Sequence, residues 1–488
     1  MNKEKMLKDK IDGFIYDRIN NDVEVISCIP ILTHNRFDLA FKLFFLENIM
    51  GNKSQDHNTI YDEHIKSFSL GSFKEPGQES TKNSITAFRE IFKSIYKDIS
   101  VNGFDGEKSL VPLAIDGSIL NGAHRTAISI FLKKEIKCVK TSLAPENFNY
   151  KFFYNRNIPV SVLDKVATKF IEYFSNTFIA FVWPTAKNYD LDLESIFPNV
   201  VYTKQISLNG NGAHNLLSQI YRGEQWLGTI ENNFNGVVNK LVECFKTFEP
   251  VRIVVFQEKS LERVLELKEE IRSIFNEGKH SIHITDTPEE ARSLSQLVFN
   301  QNGIHFLKYA KPNNFLSFHE KINKFKLFLF ENNLFSSDVL IDSSMTLEAY
   351  GIRRAKDVDY LSCSSLKVVS EHDNINSHDE DIQHHKIGKK DLVYDSDNFF
   401  YFEDLKFLSF AKLYDFKKSR SEQKDINDLK MMDSIIENNR LKKQLASIKQ
   451  YFLYKKIIVK NYVFIYLKKV QLFEFTRIIY KFLKNLSK

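Results

Sequence analysis

The chain has 488 residues, 43% of them hydrophobic and 27% charged, and a net charge of +6. This composition excludes a largely disordered chain, and the length predicts roughly two to four domains rather than one core. The four cysteines lie far apart without paired spacing, which argues against a zinc site or a disulfide scaffold and fits a reducing compartment. The first residues, MNKEKMLKDKIDG, contain no apolar signal core, so we expect a cytoplasmic protein.

Residues 1–60 are predicted to form a helical and irregular N-terminal segment with one buried helix within residues 37–50. Residues 61–154 follow as a first module, with an amphipathic helix near residues 85–95 and strands at 110–115, 118–120 and 136–139. The run Asn121-Gly122-Ala123-His124-Arg125 opens a helix between the last two of these strands. A glycine turn at a helix start offers unpaired N–H groups, and an arginine adds a bidentate fork, so this turn suits a phosphate or another anion.

The run LVPLAIDGSILNGAHRTA resembles the ParB/sulfiredoxin superfamily, whose Gly-x-His-Arg turn holds nucleotide phosphates. The resemblance implies that Gly122, His124 and Arg125 bind nucleotide phosphates. Because Ala123 stands at the cysteine position of sulfiredoxin, redox chemistry is not expected. Phosphoryl transfer, as in the serine-kinase branch, would need a base, for which the chain offers three acids: Glu75, Glu79 and Asp116. A purely structural turn is the alternative.

Residues 155–325 read as an α/β unit. Strands are predicted at 178–183, 200–208 and 251–257, with helices around 216–221, 237–248 and 261–275. Strands that alternate with helices in this way fit a βαββαβ ferredoxin-like domain.

The segment from PVRIVVF to GKHSIHITDTPEEA resembles nucleoside diphosphate kinases. The resemblance implies that His283 is the phosphorylated histidine, that Arg272 and Asn276 lie near the phosphate, and that Tyr221 lies near the base. Ile284 replaces the glycine that follows the histidine in that family.

A nucleophilic histidine also needs a carboxylate that fixes its tautomer, and Glu289 and Glu290 are the available candidates. The lysine of the family's first strand is Trp183 here. Three interpretations therefore stay open for this domain: an active phosphohistidine enzyme, a phosphate-binding relic and a structural unit.

Residues 326–440 contain the run IDSSMTLEAYGIRRAKDVDYL, in which a strand, two serines and a short helix precede Asp357 and Asp359. Side chains two apart in a strand point to the same side. The two carboxylates are therefore expected to converge and to bind divalent metal ions.

This pattern resembles the DNA-polymerase-β-like nucleotidyltransferases. The resemblance implies that Ser343 and Ser344 approach a triphosphate while Asp357 and Asp359 hold Mg²⁺. It also implies a third acid, for which Asp395 is the first choice and Asp373 the second. Further residues of the next helical turns are suited to phosphates: Lys417, Arg420 and Lys424. The His- and Asp-rich residues 371–391 are predicted to be a solvated loop rather than a metal site.

Residues 441–488 contribute +11 to the net charge, which leaves the rest of the chain at −5. This basic tail lacks the roughly 20 uninterrupted apolar residues of a membrane span. Two interpretations stay open: peripheral contact with the inner face of an anionic membrane, or a helical hairpin packed on the body.

The sequence thus predicts a multidomain α/β and α+β protein with a ParB/sulfiredoxin-like module, a ferredoxin-like domain, a nucleotidyltransferase-fold domain and a helical basic tail. Its predicted function is Mg²⁺-dependent nucleotidyl or phosphoryl transfer from a nucleoside triphosphate. An additional activity, of the kinase type, stays open. By analogy, the acceptor is a sugar, polyol or glycan of bacterial surface-polysaccharide synthesis. The alternatives are a ParB-like nucleic-acid-binding protein, disfavoured by the acidic body, and a catalytically inactive nucleotide-binding protein.

Overall fold

The computed structural model describes residues 7, 9–19, 23–51, 53–75, 81–187, 192–247, 249–366 and 368–436, together with 455, 459–460, 462–463 and 465–469. Both interpretations of the basic tail therefore lie almost entirely outside the described residues, as does Glu79. The described chain is a mixed α/β structure with three small β-sheets. None of its described helices combines the length and the apolar character needed to cross a bilayer.

The described strands, numbered in chain order, are β1 Glu24–Cys28, β2 Val111–Leu113, β3 Ile136–Lys140, β4 Thr177–Val182, β5 Val200–Ile206, β6 Val251–Gln257, β7 Ile282–Ile284, β8 Val339–Asp342, β9 Val358–Ser362, β10 Ile375–Ser377, β11 Phe399–Phe402 and β12 Leu405–Leu408.

The described α-helices are α1 Gly13–Tyr16, α2 Asp38–Gly51, α3 Gln55–Phe68, α4 Ile85–Asn102, α5 Ala123–Leu132, α6 Tyr150–Tyr154, α7 Val160–Tyr173, α8 Gly210–Ile220, α9 Val237–Cys244, α10 Leu261–Phe275, α11 Pro288–Val298, α12 Gln301–Tyr309, α13 Leu316–Glu331, α14 Ser344–Ala349, α15 Lys389–Tyr394, α16 Phe410–Arg420 and α17 Gln423–Ile436.

The first sheet has the order β1-β3-β2, with β1 antiparallel and β2 parallel to β3. The predicted strands at 110–115 and 136–139 correspond to β2 and β3. Strand β1, in contrast, comes from a segment that was expected to be helical and irregular. Its β-branched pair Val25-Ile26 suits an extended chain, and pairing with β3 supplies the backbone partners that the sequence of the segment alone does not reveal. The N-terminal segment therefore contributes to the sheet of the first module.

The second sheet has the order β5-β6-β4-β7, and all neighbours are antiparallel. Strands β4 and β5 are consequently parallel with β6 between them, and β6 and β7 are parallel with β4 between them. These are the two interleaved crossovers of a βαββαβ sheet. The helices are distributed differently from the prediction: α8 and α9 lie between β5 and β6, and no α-helix is described between β4 and β5.

Both faces of this sheet are buried. Alternate residues of β4, such as Phe178 and Ala180, pack with Leu267 and Ile271 of α10 in a core of their own. The other set, including Phe181, joins the main core of the chain. The sheet is thus a central layer, and its polar residues near the strand ends are the ones available to a ligand.

The third sheet has the order β10-β9-β8-β12-β11. Asp342 at the end of β8 lies directly opposite Asp359 on the antiparallel β9, and Asn376 on β10 lies on the other side of Asp359. Directly paired residues of neighbouring strands project from the same face of a sheet. Asp342, Asp359 and Asn376 therefore form one polar row across three strands.

Candidate functional site

The site begins where β8 ends and α14 starts. All four residues of β8 are buried, and the chain turns at Ser343, whose backbone has φ 59° and ψ −130°. This region is open to glycine and strained for other residues. Ser343 therefore takes the backbone conformation of the glycine whose slot the sequence assigned to it, and strain of this kind is often retained at functional sites.

The predicted metal-binding carboxylates belong to the neighbouring strand and its approach: Asp359 is the second residue of β9, whereas Asp357, predicted to lie in the same strand, precedes it. Burial raises the pKa of Asp359, and the negative charges of Asp357 and Asp342 raise it further against the opposing effect of His378. Across the described chain, no Lys, Arg or His side chain forms an ion pair with Asp357 or Asp359. Asp357 acts on Arg353 and His378 acts on Asp359 only through longer-range electrostatics, so within the described chain neither carboxylate has an ion-pair partner.

Asp342 is the third acid of this group, and the sequence analysis gave it no role. Its buried carboxylate accepts hydrogen bonds from Nδ1 of His378 at 2.9 Å and from Nε2 of His385 at 3.2 Å. Burial alone would raise the pKa of Asp342, but the two histidines hold it well below its usual range. Asp342 is thus a buried ionised carboxylate that is hydrogen-bonded within the protein.

The prediction of a solvated loop at residues 371–391 holds only in part. His385 is the one buried residue of the segment, but the segment is not a plain loop. The segment contains β10 and a 3₁₀ turn at residues 379–384, and it delivers His378 and His385 to Asp342. The physical reason is that a buried carboxylate must be paired. The signal was available in the sequence as an acid at the end of an apolar strand and two histidines seven positions apart, but nothing in the chain order joins them.

A series of ion pairs leads from His378 to α17. Nε2 of His378 lies 2.6 Å from Asp381, and Asp381 lies 3.5 Å from Arg420. Arg420 in turn pairs with Asp425 at 2.8 Å. Asp425 also contacts Lys417 at 3.0 Å, so these charges form one connected network.

The network returns to the serine turn. Lys417 pairs with Asp428 at 2.7 Å, and Asp428 receives two hydrogen bonds from Arg353 at 2.6 and 2.7 Å. Arg353 also donates to Ser344 Oγ at 3.2 Å. Residues of the 3₁₀ turn that follows β10, of α16 and of α17 therefore brace the turn at Ser343 and Ser344.

The three expected phosphate-binding cations have different surroundings. Lys417 is fully buried between two carboxylates, and Arg420 is paired with Asp425. Lys424 is exposed and pairs with Glu422 at 3.0 Å. The charges of Lys417 and Arg420 are thus balanced within the protein.

The two candidates for a third metal ligand lie in other surroundings. Asp395 forms an ion pair with Lys165 at 2.8 Å, beside Asp56 and Asp397, each 3.0 Å from the same lysine. Asp373 is exposed. The acid that does lie next to Asp359 is Asp342, because strand register and not chain distance brings the two together.

Asp357 and Asp359 suit a magnesium ion that takes only two of its ligands from the protein. Mg²⁺ commonly takes one or two carboxylates from a protein and completes its shell with water and substrate phosphates. Two unpaired carboxylates meet that requirement. No group of three or more His, Cys, Asp or Glu side chains in the described chain is arranged to hold a metal on its own.

The Gly122 turn has the expected backbone and a partly buried histidine. Gly122 has φ +83°, and a Cβ there would come within 3.0 Å of the Arg125 guanidinium. Nε2 of His124 contacts the Tyr61 hydroxyl at 2.9 Å, and its ring packs against Phe92. Burial lowers the pKa of His124 well below the usual value, so its ring is neutral.

Two of the three base candidates near this turn are described. Glu75 pairs with Lys82 at 2.9 Å, and Asp116 accepts hydrogen bonds from Ser118 and Asn35. Burial also lowers the pKa of Arg125. The turn therefore has features of both interpretations, an anion-binding turn and a structural one.

His283 lies beside a cavity of about 800 Å³, which Tyr221, Arg272 and Glu290 also line. Nε2 of His283 lies 2.8 Å from Glu290, whose other oxygen accepts from the backbone N–H of Asp286 at 2.8 Å. The structure thus selects Glu290 over Glu289 as the partner of the histidine.

Asn276, the remaining residue of this set, ends α10 with φ 52° and is not among the residues that line the cavity. Its left-handed backbone gives it a capping role. The sequence analysis also missed several lining residues that have no motif of their own, namely Lys240, Lys268, Lys279 and Trp226.

In comparisons with known proteins, the chain matches no protein-family model, no curated protein and no solved structure.

Proposed function

We propose that this chain is a Mg²⁺-dependent nucleotidyl- or phosphoryltransferase that uses a nucleoside triphosphate. The observation that carries the proposal is the pair Asp357 and Asp359, which lies beside the turn at Ser343 and forms no ion pair with any described residue. A bound Mg²⁺ would neutralise phosphate charge and activate the attacking oxygen. Asp357 and Asp359 would hold the ion. The turn at Ser343 and Ser344 would fix where a triphosphate can approach.

The proposal extends to the domains and to the acceptor. We assign residues 326–440 to a nucleotidyltransferase fold, residues 155–325 to a ferredoxin-like domain and residues 61–154 to a ParB/sulfiredoxin-like module. The row Asp342, Asp359 and Asn376 supports the first assignment, and the interleaved crossovers support the second. The acceptor class is a sugar, polyol or glycan in the cytoplasm or at the membrane surface.

The test is incubation of the full chain with each nucleoside triphosphate and Mg²⁺, followed by mass spectrometry of the nucleotides. We expect pyrophosphate or nucleoside diphosphate release that falls at least about 10²-fold in Asp359→Asn, which removes a metal-binding charge but keeps the side-chain shape. Asp415→Asn is the matched control, because Asp415 is an exposed acid of α16. Equal turnover in Asp359→Asn and the unmodified chain would overturn the proposal.

A second candidate is phosphoryl transfer through His283, which the 2.8 Å contact with Glu290 favours. A carboxylate that holds one ring nitrogen leaves the other free to attack a phosphoryl group. The same incubation tests it, since an acid-labile mass increase of one phosphoryl group on the intact protein must disappear in His283→Gln.

The inactive alternative has its own supporting observation, because Lys417 and Arg420 are already neutralised by acids. Nucleotide binding without any product over a long incubation would favour that alternative. Salt-sensitive binding of duplex DNA would instead favour a nucleic-acid protein.

A further inference from the structure

The wall of the cavity beside His283 includes lysines that form no ion pair within the described chain. Five Lys and Arg side chains line it, namely Arg222, Lys240, Lys268, Arg272 and Lys279, together with four carboxylates, those of Glu224, Glu243, Asp286 and Glu290. Arg222 pairs with Glu403 at 2.6 Å. Lys268 lies 3.5 Å from Asp286, and Arg272 contacts Glu269 on its own helix. Lys240 donates to the backbone carbonyl of Lys279 at 2.7 Å. Within the described chain, neither Lys240 nor Lys279 forms an ion pair with a carboxylate.

The electrostatic consequence is visible at Lys240. Burial lowers its pKa, and the charges of Lys279, Arg272 and Lys268 lower it further. Like charges gathered around a half-buried amine are costly unless an anion joins them. This cavity is therefore a place where a negatively charged ligand would be stabilised.

Two buried polar atoms of the lining residues add to this picture. Nε of Arg272 and Nδ1 of His280 are buried and have no hydrogen-bond partner among the residues that the structure describes. Buried polar atoms in native proteins are nearly always satisfied, so an orphan at a cavity wall indicates a missing partner. An anion with several acceptor oxygens supplies such partners.

The rest of the wall has groups that recognise a ring with hydroxyl groups. Trp226 is 44% exposed and lies 5.2 Å from the Tyr221 ring, so an aromatic surface is available for an apolar ring face. Gln219 and Asn239 provide amides, and Glu224 and Glu243 provide carboxylates, all of which accept from hydroxyl groups.

We propose that this cavity binds a phosphorylated polyhydroxy compound, such as a sugar phosphate, with Lys240, Arg272 and Lys279 as the groups that bind its phosphate. Arginine and lysine are the side chains that bind phosphate best. The cavity volume of about 800 Å³ is in the range of small-molecule sites. This inference goes beyond the proposed nucleotide chemistry and does not require it, because the cavity and the acids at Asp357 and Asp359 belong to different sheets.

The test is isothermal titration of the full chain with glucose 1-phosphate, with glucose as the neutral control and ADP as the nucleotide control. We expect glucose 1-phosphate to bind and glucose to bind at least about tenfold more weakly. A tenfold difference in affinity is the smallest that we take to separate the two ligands. The double variant Lys240→Met with Lys279→Met should lose at least about tenfold in affinity as well. Neither change leaves an acid unpaired, so the fold is expected to persist.

Lys259→Met is the matched control, since Lys259 is an exposed lysine of the same sheet region that does not line the cavity. The single variant Lys279→Met, at an exposed position, gives a second measurement if the double variant folds poorly. No binding of glucose 1-phosphate up to about 10 mM would overturn the proposal, as would binding that the double variant leaves unchanged. Tighter binding of ADP than of glucose 1-phosphate would overturn the assignment to a polyhydroxy compound. Binding that survives in Asp359→Asn separates this site from the proposed transferase site.

Discussion

The strand-end site at Asp357 and Asp359 and the cavity beside His283 differ in the sign of the charged groups that lack an ion-pair partner. Around the first, the buried cations are matched by acids, as Lys417 is by Asp425 and Asp428, and the unmatched groups are carboxylates. In the second, the unmatched groups are the lysines 240 and 279. Balanced buried charges hold elements together, whereas unbalanced ones mark where a ligand would be stabilised. The comparison thus assigns a cation to one region and an anion to the other.

The most direct test of this comparison is to remove a buried cation that is paired with carboxylates. We expect Lys417→Met to lower the free energy of unfolding by about 3 kcal/mol, because it breaks a buried ion pair. The value is at the lower end of the range for such pairs, since Asp425 and Asp428 each keep one arginine partner. Denaturant unfolding of the full chain measures it.

Lys424→Met is the control for that measurement. Lys424 is exposed and pairs only with Glu422 at 3.0 Å, so its loss should change stability by less than about 1 kcal/mol. If Lys417→Met were as mild as Lys424→Met, Lys417 would not be a structural cation, and a role in phosphate binding would regain its basis.

The elements around both regions were largely predictable from the sequence, because their patterns are local. Strand Val251–Gln257 and helix Leu261–Phe275 have the predicted bounds, since an apolar β-branched run and a capped amphipathic helix need no distant partner to be recognised. The position of Asp359 on β9 was likewise predictable from its local pattern, whereas Asp357 precedes that strand.

The contacts that balance the charges were not predictable. Asp342 meets His378 and His385 only because β8, β9 and β10 are neighbours in register, and Lys165 meets Asp395 across 230 positions of the chain. Sequence alone shows which groups are charged, and the fold decides which of them are paired. That is why the sequence pointed to Asp395 and Asp373 as candidates for the third acid and gave Asp342 no role.

A smaller effect, which depends on pH, is expected from His378→Gln. Burial alone would lower the pKa of His378, but the hydrogen bond and charge of Asp342, with Asp359 and Asp381, raise it above its usual value. A raised folded-state pKa gives stability that is complete below the unfolded pKa of about 6.5 and is lost as pH rises through the folded value. The variant should therefore be less stable by about 1 kcal/mol below pH 6.5 and should approach the unmodified chain as pH rises.

Urea unfolding between pH 5.5 and 9 would follow this difference, a range chosen to extend about one to two pH units on either side of the imidazole titration. His384→Gln is the control, because His384 lies 4.0 Å from Asp381 and does not contact Asp342. A difference that grew with pH would mean that His378 is held neutral, and the balance ascribed to the strand-end site would be wrong.

The smallest expected effect tests the other side of the comparison. Lys240→Met removes a half-buried charge that is repelled by Lys268, Arg272 and Lys279 and has no carboxylate partner. We expect the free energy of unfolding to rise by about 0.5 kcal/mol. This is about the size of the stabilisation that one exposed ion pair provides. The gain should shrink in about 1 M salt, where screening weakens repulsion between partly exposed charges. Lys268→Met, which gives up the contact with Asp286, should show no gain, and a clear loss in Lys240→Met would mean that its bond to the Lys279 carbonyl outweighs the repulsion.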